Sequence, residues 1–188
     1  MGKLLFTLKN AFLHRKQIKT LLSQNKHQIT TITALSTAAL NKHNIKYLAI
    51  DFDGVLAAHG QKLPNNEIKE WLTTFSQAFN EENIFIVSNK PTPARLEYFN
   101  KHFPSIRCIT GVRKKPYPDG LLSIQQQVNC KPSVLALVDD RVLTGCLASM
   151  LAGSFPILVT SPYKNYRSHP FQESFFGFLR FTERVFFL

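Results

Sequence analysis

Between Lys46 and Val159 the chain alternates short apolar runs with stretches of helical period, and this alternation restricts the possible folds more than any other feature. The runs are Lys46–Ile50 (KYLAI), Ile84–Val87 (IFIV), Ile106–Ile109, Val134–Val138 (VLALV) and Phe155–Val159. Continuous apolar runs of this length read as buried strands. Pro64 opens a helix through Phe79 that sets Ile68, Leu72 and Phe75 on one face. Pro93 opens a second helix toward His102, and Pro118 or Asp119 starts a third through Val128. A fourth runs from Leu143 to Ala152 and ends at Gly153. Strands alternating with helices predict an α/β fold: a doubly wound, Rossmann-like parallel sheet with helices on both faces. Its active site is expected at the carboxyl ends of the strands.

Polar residues follow four of these runs. The first ends in Asp51-Phe52-Asp53-Gly54-Val55. Two carboxylates two residues apart share one side of an extended chain. Gly54 permits the turn that keeps them near one point. Like charges so close call for a cation, and oxygen ligands favour magnesium over zinc. The next run ends in Ser88-Asn89, whose hydroxyl and amide can donate to a phosphoryl oxygen. Arg113-Lys114-Lys115-Pro116 precedes a helix, and a lysine there can neutralise phosphate and nucleophile together. Asp139-Asp140 closes the series, and one of the pair can complete a metal site. Each piece alone has an ordinary reading as a turn, cap or loop. Their order along successive strand ends is what points to phosphoryl chemistry.

These four motifs resemble those of the haloacid dehalogenase (HAD) superfamily, over residues 45–160. A narrower resemblance is to its phosphatidylglycerophosphate phosphatase branch. It is carried by Trp71, Ser88-Asn89, Lys115-Pro116 and the tail Arg180-x-x-Glu183-Arg184. The chain departs from that branch in reading Asp-Gly-Val after Asp51. It also has Asp139 at a glycine position and Gly145 where a second acid would stand. Capless relatives with an Asp-Asp fourth motif act on proteins, including phosphotyrosine. The resemblance implies that Asp51 is the nucleophile and forms an aspartyl phosphate, with Asp53 as general acid and base. It implies Mg2+ held by Asp51, Asp53 through its backbone carbonyl, and Asp140. It selects Lys115 over Lys114, and Asp140 over Asp139, which would then orient Lys115 or share the metal. Ser88 is expected on the phosphate, with Asn89 and Arg141 as further contacts. His59 lies in a loop that could cover the site.

Ser88 follows Asp53 by 35 residues, and Lys115 follows Ser88 by 27. The predicted helices and strand nearly fill these intervals, so no cap domain is expected. An open site favours a large substrate, either a phosphoprotein or a phospholipid headgroup. The alternatives are a phosphotransferase, or a non-catalytic membrane- or protein-binding module on the same fold.

The formal net charge is +11, and residues 1–50 contain no carboxylate side chain. Anionic partners are therefore expected. Residues 1–44 read as a basic helical segment, with one amphipathic helix over 3–22 (Leu5, Leu8, Phe12 and Leu13 at helical spacing) and a second over 28–41. Residues 161–188 form an aromatic tail expected to pack back on the core. Together these segments suggest an anionic membrane surface, with peripheral attachment and no transmembrane helix. The apolar end Val185–Leu188 is unusual for a free terminus and suggests that the natural protein continues. Nucleic acid is not expected, since the aromatics do not interleave with the basic run. Cys108, Cys130 and Cys146 lack metal spacing and read as buried free thiols, which fits a reducing, cytoplasmic-type compartment.

Overall fold

The computed structural model describes residues 2–187. Its elements are α1 (Lys3–Leu13), α2 (Arg15–Ser23), β1 (Gln28–Ile29), α3 (Thr37–Lys42), β2 (Tyr47–Ile50) and α4 (Asn66–Phe79). There follow β3 (Ile84–Ile86), α5 (Pro93–His102), β4 (Arg107–Cys108), α6 (Asp119–Gln127) and β5 (Leu135–Asp139). Last come α7 (Leu147–Leu151), β6 (Phe155–Val159) and α8 (Pro170–Phe187). The six strands form one sheet in the order β1-β6-β5-β2-β3-β4, with every pairing parallel.

Both faces of the sheet are buried, which explains the continuous apolar runs. Leu48 and Ile50 point to a core completed by Ile68, Leu72 and Phe75 of α4 and Phe99 of α5. Ala49 and Phe85 point the other way, onto Leu121 and Ile124 of α6 and Ala148 of α7. From β2 the chain first builds outward through β3 and β4, then returns to place β5 on the opposite side of β2. This reversal opens a crevice at the carboxyl ends of β2 and β5. Ile50 is in register with Val138, and the ladder continues one residue further, the Asp51 amide donating to the Val138 carbonyl at 2.9 Å. Asp51 is thereby carried level with Asp139. The connection from Asp53 to Ser88 holds α4, and that from Ser88 to Lys115 holds α5 and β4, so neither carries a cap.

The N-terminal expectations need correction. Residues 3–22 form two helices that break at His14, where ψ is 13°. The side chains buried beneath them are Ala11, Ile18 and Leu21, whereas Leu5, Leu8, Phe12 and Leu13 are exposed. Residues 28–41 are not one helix. Thr30, Thr31 and Thr33 disfavour it through their β-branching, and Gln28–Ile29 instead pairs with β6 at the sheet edge. Only Thr37–Lys42 is α-helical, with Ser36 Oγ accepting from the Ala39 amide at 3.2 Å. The expected helix from Leu143 begins as a π-helical turn, Val142–Cys146. Cys146 is buried, but Cys108 and Cys130 are only half-buried, and all three are free thiols.

The tail lies on the core through charged side chains and not through most of its aromatics. Phe171, Phe175, Phe178, Phe181 and Phe186 of α8 are exposed, while Glu173, Arg180 and Glu183 are buried. Among the described residues no helix is long and apolar enough to cross a membrane.

Candidate active site

The crevice between β2 and β5 gathers carboxylates from both strand ends. One oxygen from each of Asp51, Asp139 and Asp140 falls within a 4.8 Å cluster. Lys115 reaches into it from the loop before α6. Its Nζ lies 2.9 Å from Asp51 Oδ1 and donates to Asp139 Oδ2 at 2.5 Å. The loop separates the two candidate lysines, leaving Lys114 exposed and Lys115 buried. Asn89 helps to set this loop, its Oδ1 accepting from the Lys115 amide at 2.8 Å. Asn89 is therefore a positioning group for the lysine, and its side-chain NH2 remains the group that would reach phosphate.

Two glycines make the close packing possible. Gly54 has φ +85°, and a Cβ on it would lie 2.6 Å from Asp140 Oδ2. The turn after Asp51 is thus pressed onto Asp140. A Cβ on Gly145 would lie 1.9 Å from Asp139 Oδ2. The Asp139 carboxylate fills the space that a side chain at 145 would take, so an acid at 139 in this position requires glycine at 145. Gly145→Ala is expected to displace Asp139 and, with it, Lys115. We expect a turnover loss of roughly 10²-fold from misplacement and a destabilisation of about 1–3 kcal/mol from overpacking. Initial rates and melting temperature check both.

Charge is unbalanced here, with three carboxylates facing the two cations Lys115 and Arg180. Arg180 comes from α8 and donates through Nη1 to Asp140 Oδ2 at 2.6 Å. Burial raises Asp51 well above the usual carboxylate range; Lys115 opposes this and Asp139 adds to it. Burial, together with Asp139, pushes Asp140 up to about 7 against the pull of Arg180. Burial alone would lower Lys115, but Asp139 and Asp51 reverse this and hold its ammonium above the ordinary value. An all-oxygen donor set short of positive charge fits a hard divalent cation.

A consequence is measurable. Metal-free folded protein keeps a proton on Asp140 that the unfolded chain releases at its lower pKa. Stability should therefore fall as pH rises from about 4 to about 7. A divalent cation should flatten that slope, as melting curves with chelator or with Mg2+ would show.

Asp53 lies outside the three-carboxylate cluster. Arg95 of α5 holds both its oxygens, at 2.9 and 2.7 Å. The same guanidinium donates to the Lys90 and Gln61 carbonyls and sits 3.8 Å over the Phe52 ring. Ser88 Oγ accepts from Arg95 Nη1 at 3.4 Å and from the Lys90 amide at 3.1 Å, leaving its own proton free to donate. The sequence reading missed Arg95. A basic residue one turn into a helix has the same local pattern whether it is solvated or paired, so nothing nearby distinguished it.

Two further expectations are corrected. Arg141 is turned to Glu183 of α8: its Nε donates to Glu183 Oε1 at 2.8 Å, and Glu183 Oε2 accepts from the Val142 amide at 2.9 Å. This pairing draws the guanidinium toward α8. His59 is buried against α8, stacked on Phe176 with centroids 3.9 Å apart and 3.7 Å from Glu173 Oε2. Burial lowers its pKa despite Glu173 and Asp53 nearby. It acts here as packing beneath the helix, not as a cover for the site.

A family model described as "Mitochondrial PGP phosphatase" matches residues 8–164. No curated protein matches the chain in sequence. Among solved structures, a hypothetical protein from Xanthomonas campestris is similar at 15% identity and TM-score 0.51, covering 69% of this chain and 72% of its own. An uncharacterized protein from Corynebacterium glutamicum matches at 17% identity and TM-score 0.49, over 68% of this chain and 91% of its own. A 3-deoxy-D-manno-octulosonate 8-phosphate phosphatase from Moraxella catarrhalis matches at 17% and 0.46, over 70% and 86%. The Xanthomonas likeness bears on the fold alone.

Proposed function

Since the chain belongs to the mitochondrial PGP phosphatase family, a phosphatase family of the HAD type, we propose that it is a magnesium-dependent phosphomonoesterase. It would work through an aspartyl phosphate on Asp51, with a phospholipid headgroup as substrate. The observation that carries the chemistry is Lys115 Nζ set between Asp51 and Asp139, with Asp140 beside them.

In the first step Asp51 attacks phosphorus in line, and the bond to the leaving oxygen breaks. Asp53 gives that oxygen a proton. In the second step water attacks phosphorus, Asp53 takes a proton from it, and the bond to Asp51 breaks to release inorganic phosphate. Arg95 presents Asp53 as an acceptor, which suits the second step. In the first, the protonated oxygen gives up its bond to Arg95. Lys115 offsets charge on Asp51 and on phosphate, and Ser88 donates to an equatorial oxygen. Asp51, Asp140 and the Asp53 carbonyl would hold magnesium, whose charge lets a phosphate dianion approach a carboxylate.

The family favours a lipid substrate, and neither connection that could carry a cap over the crevice does so. The Asp139-Asp140 pair favours a second reading, a phosphoprotein with phosphotyrosine among the candidates. The deciding experiment measures phosphate release with and without Mg2+ from an aryl phosphate, a phosphotyrosine peptide and phosphatidylglycerophosphate in mixed micelles. Magnesium-dependent turnover with preference for the lipid supports the proposal. Preference for the peptide replaces the substrate, and no turnover from metal-bound folded protein removes the reading altogether.

A further inference from the structure

Helix α8 is amphipathic in the wrong sense for a helix facing water. Its inward residues Glu173, Arg180 and Glu183 are charged, and its outward residues are aromatic, with Phe171 91% and Phe186 83% exposed. The outer stripe Phe171, Phe175, Phe178 and Phe181 recurs every three to four residues, so it forms one continuous face. A water-facing helix places these classes the other way round. The inward charges are not free. Arg180 holds Asp140, Glu183 holds Arg141, and Glu173 Oε1 accepts from the Asn165 amide at 3.0 Å. The aromatic face is thereby tied to the loops that carry the site.

Helix α1 lies alongside. Phe6 packs on Tyr117, two residues beyond Lys115, with centroids 4.3 Å apart. Its Leu4, Leu5, Leu8, Phe12 and Leu13 are exposed. Between α1 and α8 runs a groove of about 920 Å³, whose apolar lining includes Leu4, Leu8, Phe12, Leu179 and Phe186. It extends to Pro116 and Arg141, the neighbours of Lys115 and Asp140. Lys3, Arg15, Lys16 and Lys19 border it, and its acidic lining residue, Glu183, is paired inward with Arg141.

We propose that α1 and α8 form one docking face for an anionic phospholipid bilayer, with the groove receiving acyl-chain segments. An apolar floor inside a cationic border matches such a surface in both polarity and sign. A second copy of the chain does not match, because the face would present the same positive charges to itself. The inference deepens the lipid-headgroup reading and rests on it. Docking would set the mouth of the crevice at the level of the headgroups.

The test uses the full chain and reads binding without turnover. Protein is floated with vesicles of phosphatidylcholine alone, or of phosphatidylcholine mixed with phosphatidylglycerol. Wild type should float with the mixed vesicles, less so as salt rises, and not with the neutral ones. The triple variant Phe175→Ser, Phe178→Ser, Phe181→Ser should lose at least roughly tenfold in affinity and keep its turnover of a soluble aryl phosphate. Should that variant fail to fold, the pair Lys16→Glu and Lys19→Glu replaces it, with the same expectation. Wild type that ignores both vesicles overturns the proposal, as do variants that bind like wild type. So does a protein dimer that the same substitutions dissociate, without any vesicle binding. Vesicle binding by a protein that releases no phosphate from any ester would sink the catalytic reading and leave the docking face standing.

Discussion

Asp51→Asn is expected to lower phosphate release by on the order of 10⁴-fold or more, as loss of a covalent nucleophile does, while leaving the fold intact. The amide nearly matches the carboxylate in shape. It also relieves a buried charge that crowds Asp139 and Asp140. Lys115 keeps its 2.5 Å bond to Asp139, so no buried cation is orphaned. The melting temperature of the metal-free variant should equal or exceed that of wild type. Lost turnover with preserved melting identifies a chemical role. Activity close to wild type in a folded variant would exclude an aspartyl phosphate on this residue.

Lys115→Met should damage both chemistry and fold. The methionine fills much of the space but leaves Asp51, Asp139 and Asp140 with Arg180 as their remaining cation. Removing one partner of a buried ion pair costs about 3–5 kcal/mol, readable from denaturant unfolding. Loss of a preorganised charge at the phosphoryl site lowers kcat by roughly 10²–10³-fold. Magnesium should recover part of the stability, because it supplies charge to the same carboxylates. It should not recover kcat, because it cannot supply the ammonium between Asp51 and phosphate. Full recovery of kcat by magnesium would show that Lys115 serves only as a counter-charge.

Much of the architecture was legible because the central strands are buried on both faces. Such strands must be apolar throughout, and their polar ends then stand out; Asp51, Ser88 and the Asp139-Asp140 pair were legible this way, whereas the choice of Lys115 over Lys114 came from the family resemblance. What was missed depends on distant partners. Strand β1 is two residues long and pairs with Leu158 and Val159, far along the chain. No local pattern could specify that. Arg95 and Arg180 look like ordinary helix-surface residues until Asp53 and Asp140 are placed beside them. The last helix misled for a physical reason. Its aromatics were expected to pack back on the core, whereas in α8 Phe171, Phe175, Phe178, Phe181 and Phe186 are exposed. The resemblance did single out Arg180 and Glu183, without indicating what they hold.

The position of α8 in the chain also bears on biosynthesis. A chain made from its N-terminus can pair all six strands before α8 emerges, because α8 follows β6. At that stage Asp140 has no guanidinium, and the Val142 amide has no acceptor in Glu183. The emerging protein would have its nucleophile and lysine in place but an unfinished floor beneath them. Only when α8 swings in are those groups satisfied. Closure of the floor beneath the crevice is thus the last structural step open to the chain, because the residues that complete it come from its final helix.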